Sequence, residues 1–163
     1  MGARRLCRAG GFPAFMQAGL ALGAMLLIFM PAPACSAELA GVWQEYDDQT
    51  GKVEALIRIE QTAEGVYEGK IIKLMADVLG SAPRVCGGCR GELRNRPLLG
   101  MRILYGMKRR DELNFEGGEI IDPEDGKVYR CQMKLSADGL SLKVTGYLGI
   151  SWFGETETWQ RAE

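Results

Sequence analysis

The feature that most restricts this chain's fold is an alternation of apolar and polar residues with period two, cut at short intervals by turn residues. It is cleanest where Tyr129, Cys131, Met133 and Leu135 alternate with Arg130, Gln132 and Lys134. Asp138-Gly139 follows, and then Leu140, Leu142 and Val144 alternate with Ser141, Lys143 and Thr145. Successive side chains of a strand point to opposite faces, so the pattern reads as two half-buried strands joined by a hairpin.

The same signal recurs elsewhere. Val53, Ala55, Ile57 and Ile59 alternate with Glu54, Arg58 and Glu60, and only Leu56 breaks the rule. Turns are expected at Asp47–Gly51 and at Ala63-Glu64-Gly65, the second leading into a strand from Val66 to Ile72. Asp122-Pro123-Glu124-Asp125-Gly126 joins a strand near Glu119–Ile121 to one at Lys127. Gly41-Val42-Trp43 opens the first strand, and Glu155–Arg161 forms the last.

The expected architecture is all-β: about eight short strands in an up-and-down antiparallel meander, closed into a barrel because closure removes exposed sheet edges. Closure pairs the first strand with the last and brings Trp43 to Arg161. A guanidinium over an indole contributes about 0.5–2 kcal/mol; simple filling of the core by both side chains is the competing reading. Residues 73–97 are the exception, a long Gly- and Pro-containing loop that carries two cysteines, with one short helical turn expected at Leu74–Leu79. Loops longer than about 12–15 residues in compact domains are usually functional or mobile.

Arg4, Arg5 and Arg8 precede an apolar stretch, Ala18–Met30, and a segment rich in small residues, Pro31–Ala37. This is the layout of a secretory signal peptide. The apolar stretch has 13 residues, against the about 20 that a membrane span needs. Residues 1–37 are therefore expected to be a signal peptide cleaved after Ala37, and 38–163 the barrel domain of an exported, periplasmic protein. A cut after Ala34 is the alternative; it would leave Cys35 first and suggest a lipoprotein. The domain carries 17 basic and 21 acidic residues, a formal charge of −4. That balance argues against nucleic acid as a partner, and no stable membrane span is expected in the mature chain.

The chain has no histidine. This excludes Ser–His and Cys–His nucleophile pairs and His-containing zinc sites, so no catalytic residues, metal or cofactor are expected. Cys86-Gly87-Gly88-Cys89 is the one motif with reactive potential. In an oxidising compartment such a pair is a static disulfide, a redox pair or half a metal site. Redox work favours a cysteine at a helix N-terminus, and metal binding needs further soft ligands of which only Cys131 remains; the static disulfide is the preferred reading. Cys131 lies on the apolar face of its strand and reads as a buried thiol. Glu155 and Glu157 read as outward, solvated charges. Tyr105, Tyr129, Met133, Tyr147 and Trp152 are the candidates for lining a barrel interior, where a small ligand is bound or side chains fill the space.

Several longer motifs point further. They are Gly41-x-Trp43; Cys86-Gly87-Gly88-Cys89-Arg90-Gly91; Pro97-Leu98-Leu99-Gly100-Met101-Arg102-Ile103-Leu104; Gly117-Gly118-Glu119-Ile120-Ile121-Asp122-Pro123 with Gly126-Lys127-Val128-Tyr129; and Gly146-Tyr147-Leu148-Gly149 through Trp159-x-Arg161. Together they resemble the bacterial exported family called "domain of unknown function 2147". The resemblance implies a lipocalin-like barrel, export and no established activity. Phe115 stands where the family pattern usually has Trp, and Thr145 and Glu155 where it usually has Arg.

The expected function is an exported, non-enzymatic barrel that binds a small hydrophobic or amphipathic molecule. A thiol–disulfide role for Cys86/Cys89 and a structural envelope-interaction module are the alternatives.

Overall fold

The computed structural model describes residues 37–75, 84–149 and 154–162. Eight strands follow one another: β1 (Gly41–Tyr46), β2 (Val53–Gln61), β3 (Tyr67–Leu74), β4 (Arg102–Arg109), β5 (Asn114–Ile121), β6 (Val128–Leu135), β7 (Ser141–Tyr147) and β8 (Glu155–Arg161). Each pairs antiparallel with the next, and β1 pairs with β8 through Trp43 opposite Arg161 and Gln44 opposite Gln160, so the barrel is closed. The expected signal peptide lies outside the described residues except for Ala37, as do most of the residues expected to form a helical turn at Leu74–Leu79. A three-residue 3-10 turn occurs at Gly91–Leu93, and Leu74 ends β3.

Strand register defines the inner face. Trp43 pairs with Ile57 and Ile57 with Ile71; Phe115 pairs with Met133 and Met133 with Val144; Leu135 pairs with Leu142 and Leu142 with Trp159. All of these side chains are buried and belong to one cluster. Each such side chain contributes about 1.5–3 kcal/mol by leaving water, and this continuous inner wall is the main source of the fold's stability.

Two strands are longer than the alternation suggests. In β4 both Ile103 and Leu104 are buried, and at the end of β5 the outward-facing Ile121 is buried beside the inward-facing Ile120. Cys86, Cys89 and Met101 belong to the same apolar cluster as Ile103 and Ile121. The connection between β3 and β4 therefore covers this part of the outer wall, and a strand buried on both sides shows no period of two.

Candidate functional site

An up-and-down barrel has two ends, and here they differ. The base collects the β2–β3, β4–β5 and β6–β7 turns and the approach to β1. There Leu39 is fully buried, and its carbonyl accepts a 3.0 Å hydrogen bond from Trp43 Nε1. The Arg161 guanidinium lies 4.3 Å from the Trp43 ring centroid. Its Nε donates to Gly139 O at 2.6 Å, its Nη1 to Ala40 O at 3.2 Å and its Nη2 to Glu38 O. One planar fork thus ties three chain segments together, and the desolvation it suffers lowers its pKa from the ordinary arginine value. Gly41 is required beside it: its backbone has φ +150°, and a Cβ there would run into Arg161 Nη1.

A second arginine completes the seal. Arg109 Nη2 donates to Tyr67 Oη at 2.8 Å and pairs with Glu38 Oε1 at 3.2 Å. Its guanidinium lies 4.8 Å from the Phe115 ring centroid, and Phe115 meets Tyr67 edge to face with centroids 5.3 Å apart. Together the two arginines tie the approach to β1 onto this end of the barrel.

The mouth collects the other four connections. Leu74, Ile120 and Tyr129 face inward there yet are only half-buried. The inner wall is therefore apolar but incompletely packed near the mouth. Three carboxylates interrupt it. Glu155 is exposed at the rim, opposite the inward Gly146, and so is not on the outer face as expected. The other two lie deeper. Glu45 pairs with the buried Ala55 and so points to the inner face. Glu157 pairs with the buried Val144, and its Oε2 accepts a 2.9 Å hydrogen bond from Trp159 Nε1. It therefore lies on the inner face, not outward as expected.

Burial pushes the Glu45 carboxyl up to about 8, with Glu157, Glu54, Asp122 and Glu124 adding like-charge repulsion. Some of the Glu45 residue still reaches solvent, so this carboxyl is strongly desolvated without being sealed away. Desolvation also raises Glu157, although that side chain as a whole is exposed. Cys131 is buried on the inner face, and desolvation pushes its thiol up to about 12, which leaves it un-ionised and inert.

The disulfide Cys86–Cys89 sits outside the wall, in the β3–β4 connection, with its Cα atoms 5.3 Å apart. Both cysteines are buried. Cys86 Sγ lies 3.4 Å from the Pro123 carbonyl oxygen of the β5–β6 turn. The two segments touch backbone to backbone: a Cβ on Gly88 would come within 2.7 Å of Asp125 O, and a Cβ on Gly126 would overlap Gly88 and Cys89. The Gly-Gly between the cysteines and the glycine of the turn are thus one interlocking contact. A shallow groove of about 440 Å³ runs beside it, lined by Cys89, Leu93, Ile121, Val128 and Leu148 among others. Redox exchange uses an exposed, low-pKa thiol, whereas both of these sulfurs belong to buried residues.

The structure places the other expected lining residues as follows. Met133 is buried on the inner face. Tyr129 faces inward at the rim, and its hydroxyl donates to Asp125 Oδ2 at 2.7 Å. Tyr105 is a correction: it pairs with the exposed Glu119 on the outer face, and its hydroxyl donates to Arg102 O at 2.7 Å. Tyr147 is a second correction, since it pairs with the exposed Arg130 on the outer face. Both lie one residue out of phase with the inner face, which runs through Leu104 in β4 and Gly146 in β7. Trp152 lies outside the described residues. The residues that sequence reasoning missed are Glu45 and the inward Leu74 and Ile120; the register from Trp43 to Glu45, two apart on one strand, was the available signal for the first.

The family described as "Uncharacterized protein conserved in bacteria (DUF2147)" matches residues 41–161. Among solved structures, protein HP1028 from Helicobacter pylori, described as belonging to the lipocalin family, is similar with a TM-score of 0.66 and 23% identity, over 78% of this chain and 84% of that one. At this identity the likeness concerns the fold. No curated protein matches the chain significantly.

Proposed function

The chain belongs to the DUF2147 family, and we propose that it works as an exported, non-catalytic barrel that holds a small hydrophobic or amphipathic molecule inside its mouth. The observation that carries this reading is the asymmetry of the inner wall. The base is plugged by Leu39, Trp43 and Arg161, whereas Leu74, Ile120 and Tyr129 face inward at the mouth with apolar surface still accessible. Ligand pockets are concave and mostly apolar, with a few placed polar groups, and small barrels of this kind hold one small ligand. Export is supported by Arg4, Arg5 and Arg8 ahead of the Ala18–Met30 apolar stretch, and a lipocalin-like fold suits a container better than a catalyst.

A titration with the neutral dye N-phenylnaphthylamine tests this. Saturable fluorescence at one dye per barrel is expected. Gly146→Leu should abolish it, because a Cβ at Gly146 already lies 3.4 Å from Tyr129 Cβ and 3.6 Å from Ile120 Cγ2, and a longer side chain fills the inner mouth. No saturable signal, or a signal that Gly146→Leu leaves unchanged, contradicts the reading.

A further inference from the structure

Charge is unevenly spread over the outside of the barrel. The domain is acidic, yet residues 84–102, the β3–β4 connection and the first residue of β4, carry five arginines and a single acid, Glu92. Arg102 pairs with Glu68, and Arg84 is half-buried and acts on Glu54. Arg90, Arg94 and Arg96 are exposed and pair with no carboxylate among the described residues. They bracket the 3-10 turn: Arg90 precedes it, the Arg94 N–H donates to Gly91 O at 3.3 Å, and Arg96 Nε donates to Glu92 O at 3.0 Å. Leu93 of that turn lines the outer groove with Arg90, Ile121, Val128 and Leu148. Apolar exposure collects at the same place. Of the five large apolar side chains exposed among the described residues, Val85 and Leu99 belong to the connection and Val128 and Leu148 to the groove; Leu148 is 58% exposed and Leu99 59%. Single exposed apolar residues are ordinary, whereas a collection of them beside polar groups marks an interaction site. The acids of the neighbouring β5–β6 turn do not cancel the arginines. Asp125, which also lines the groove, pairs with Lys127 at 2.8 Å, and Asp122 and Glu124 lie close enough to Glu45, on the inner face, to act on it.

We infer that this face docks on the surface of an anionic phospholipid bilayer, with Arg90, Arg94 and Arg96 on lipid phosphates and Val128 and Leu148 against the outermost acyl carbons. A guanidinium takes a phosphate through two parallel N–H donors, and a basic cluster is drawn to the negative potential of an anionic leaflet. The bilayer interface offers both things the face lacks, a layer of negative charge and an apolar layer directly beneath it. A shallow groove walled by leucine, isoleucine and valine has no pocket for the aromatic anchors that dominate protein interfaces. The buried Cys86–Cys89 disulfide and the backbone contact of Gly88 with Gly126 hold the two sides of the groove together, so the face is formed before it meets the lipid. The inference is independent of the container reading, because the groove lies outside the wall. Where both hold, Tyr129, inward at the rim and next in sequence to Val128, sets the mouth beside the lipid from which an apolar molecule would enter.

Co-sedimentation with vesicles tests this, using phosphatidylcholine alone against an equal mixture of phosphatidylcholine and phosphatidylglycerol. Binding to the mixed vesicles should be about tenfold or more stronger, and should weaken as added salt shortens the screening length. Arg90→Gln/Arg94→Gln changes two exposed side chains that make no hydrogen bond among the described residues, and should remove that preference. Lys134→Gln/Lys143→Gln takes the same charge from the outer face of β6 and β7, and should keep it. Leu148→Ser should weaken binding to the mixed vesicles severalfold without changing its salt dependence. Unchanged unfolding midpoints establish that the variants fold. All of them share residues 1–37, so attachment through the apolar Ala18–Met30 stretch is the same in each and cannot produce these differences. Equal binding to both vesicle types, or a preference that the arginine variant keeps or the lysine variant loses to the same degree, overturns the inference. So does binding of polyglutamate through Arg90 and Arg94 by a protein that ignores the mixed vesicles, which would make the partner an acidic polypeptide.

Discussion

Glu45 is the residue whose burial bears most directly on the pH dependence of the fold. Its folded pKa is about 8 against an ordinary 4.5, chiefly because burial disfavours the charge. The folded state therefore binds this proton more tightly than the unfolded chain does. The sign follows by linkage: Glu45 costs the fold nothing below the unfolded value, and stability falls as pH rises from 4.5 toward 8. With part of the residue in contact with solvent, the loss is about 2–3 kcal/mol, less than the full shift implies. Denaturant midpoints across this range should show that decline in the natural protein, and Glu45→Gln should flatten it. At the base, Arg161 makes the opposite kind of contribution. Arg161→Ala leaves three carbonyls without their donor and uncovers Trp43, so unfolding should become easier by about 2–4 kcal/mol. Arg161→Lys should recover only part of this, because an ammonium keeps the charge but not the fork.

Among the elements, the disulfide connection and the β5–β6 turn behave as one unit, because Gly88 and Gly126 bring their backbones into contact. Reducing or removing the disulfide in a Cys86→Ser/Cys89→Ser variant should cost about 2 kcal/mol or less in global stability, since the loop it closes is short. Gly126→Ala should do more local damage, because its Cβ has nowhere to go and its φ of +68° disfavours a side chain. Hydrogen exchange of residues 84–101 should accelerate in both variants while the amides of β6 and β7 stay protected. This element also shows where sequence legibility ends. The β6–β7 hairpin was readable because one face is buried and the other solvated. β4 and β5 were not, because the long connection covers their outer face at Ile103 in β4 and at Ile121, where β5 ends, and Gly106 and Gly117 interrupt the pattern. Tyr105 and Tyr147 were assigned to the interior on size and polarity, yet strand parity sends both outward. For Tyr105 the parity depends on the irregular β3–β4 pairing around Gly69; for Tyr147 it was legible, since β7 runs without a register shift and Tyr147 continues the Ser141, Lys143, Thr145 face.

At the scale of the whole molecule, closure was legible from the two ends of the chain, Gly41-x-Trp43 and Trp159-x-Arg161, whose residues meet where β1 pairs with β8. Which end is sealed was not legible, because it depends on Leu39 and Glu38 folding back over the base through contacts distant in sequence, such as Glu38 with Tyr67 and Arg109. On the proposed reading, the closely packed base and the half-packed mouth let a ligand enter the barrel from one end. Methyl NMR during titration with N-phenylnaphthylamine tests that directly. Shifts confined to the inward methyls near the mouth, those of Ala55, Leu74, Ile120 and Val144, are the predicted result. Shifts confined to the outer groove at Leu93, Val128 and Leu148, with the inward methyls unmoved, would contradict it.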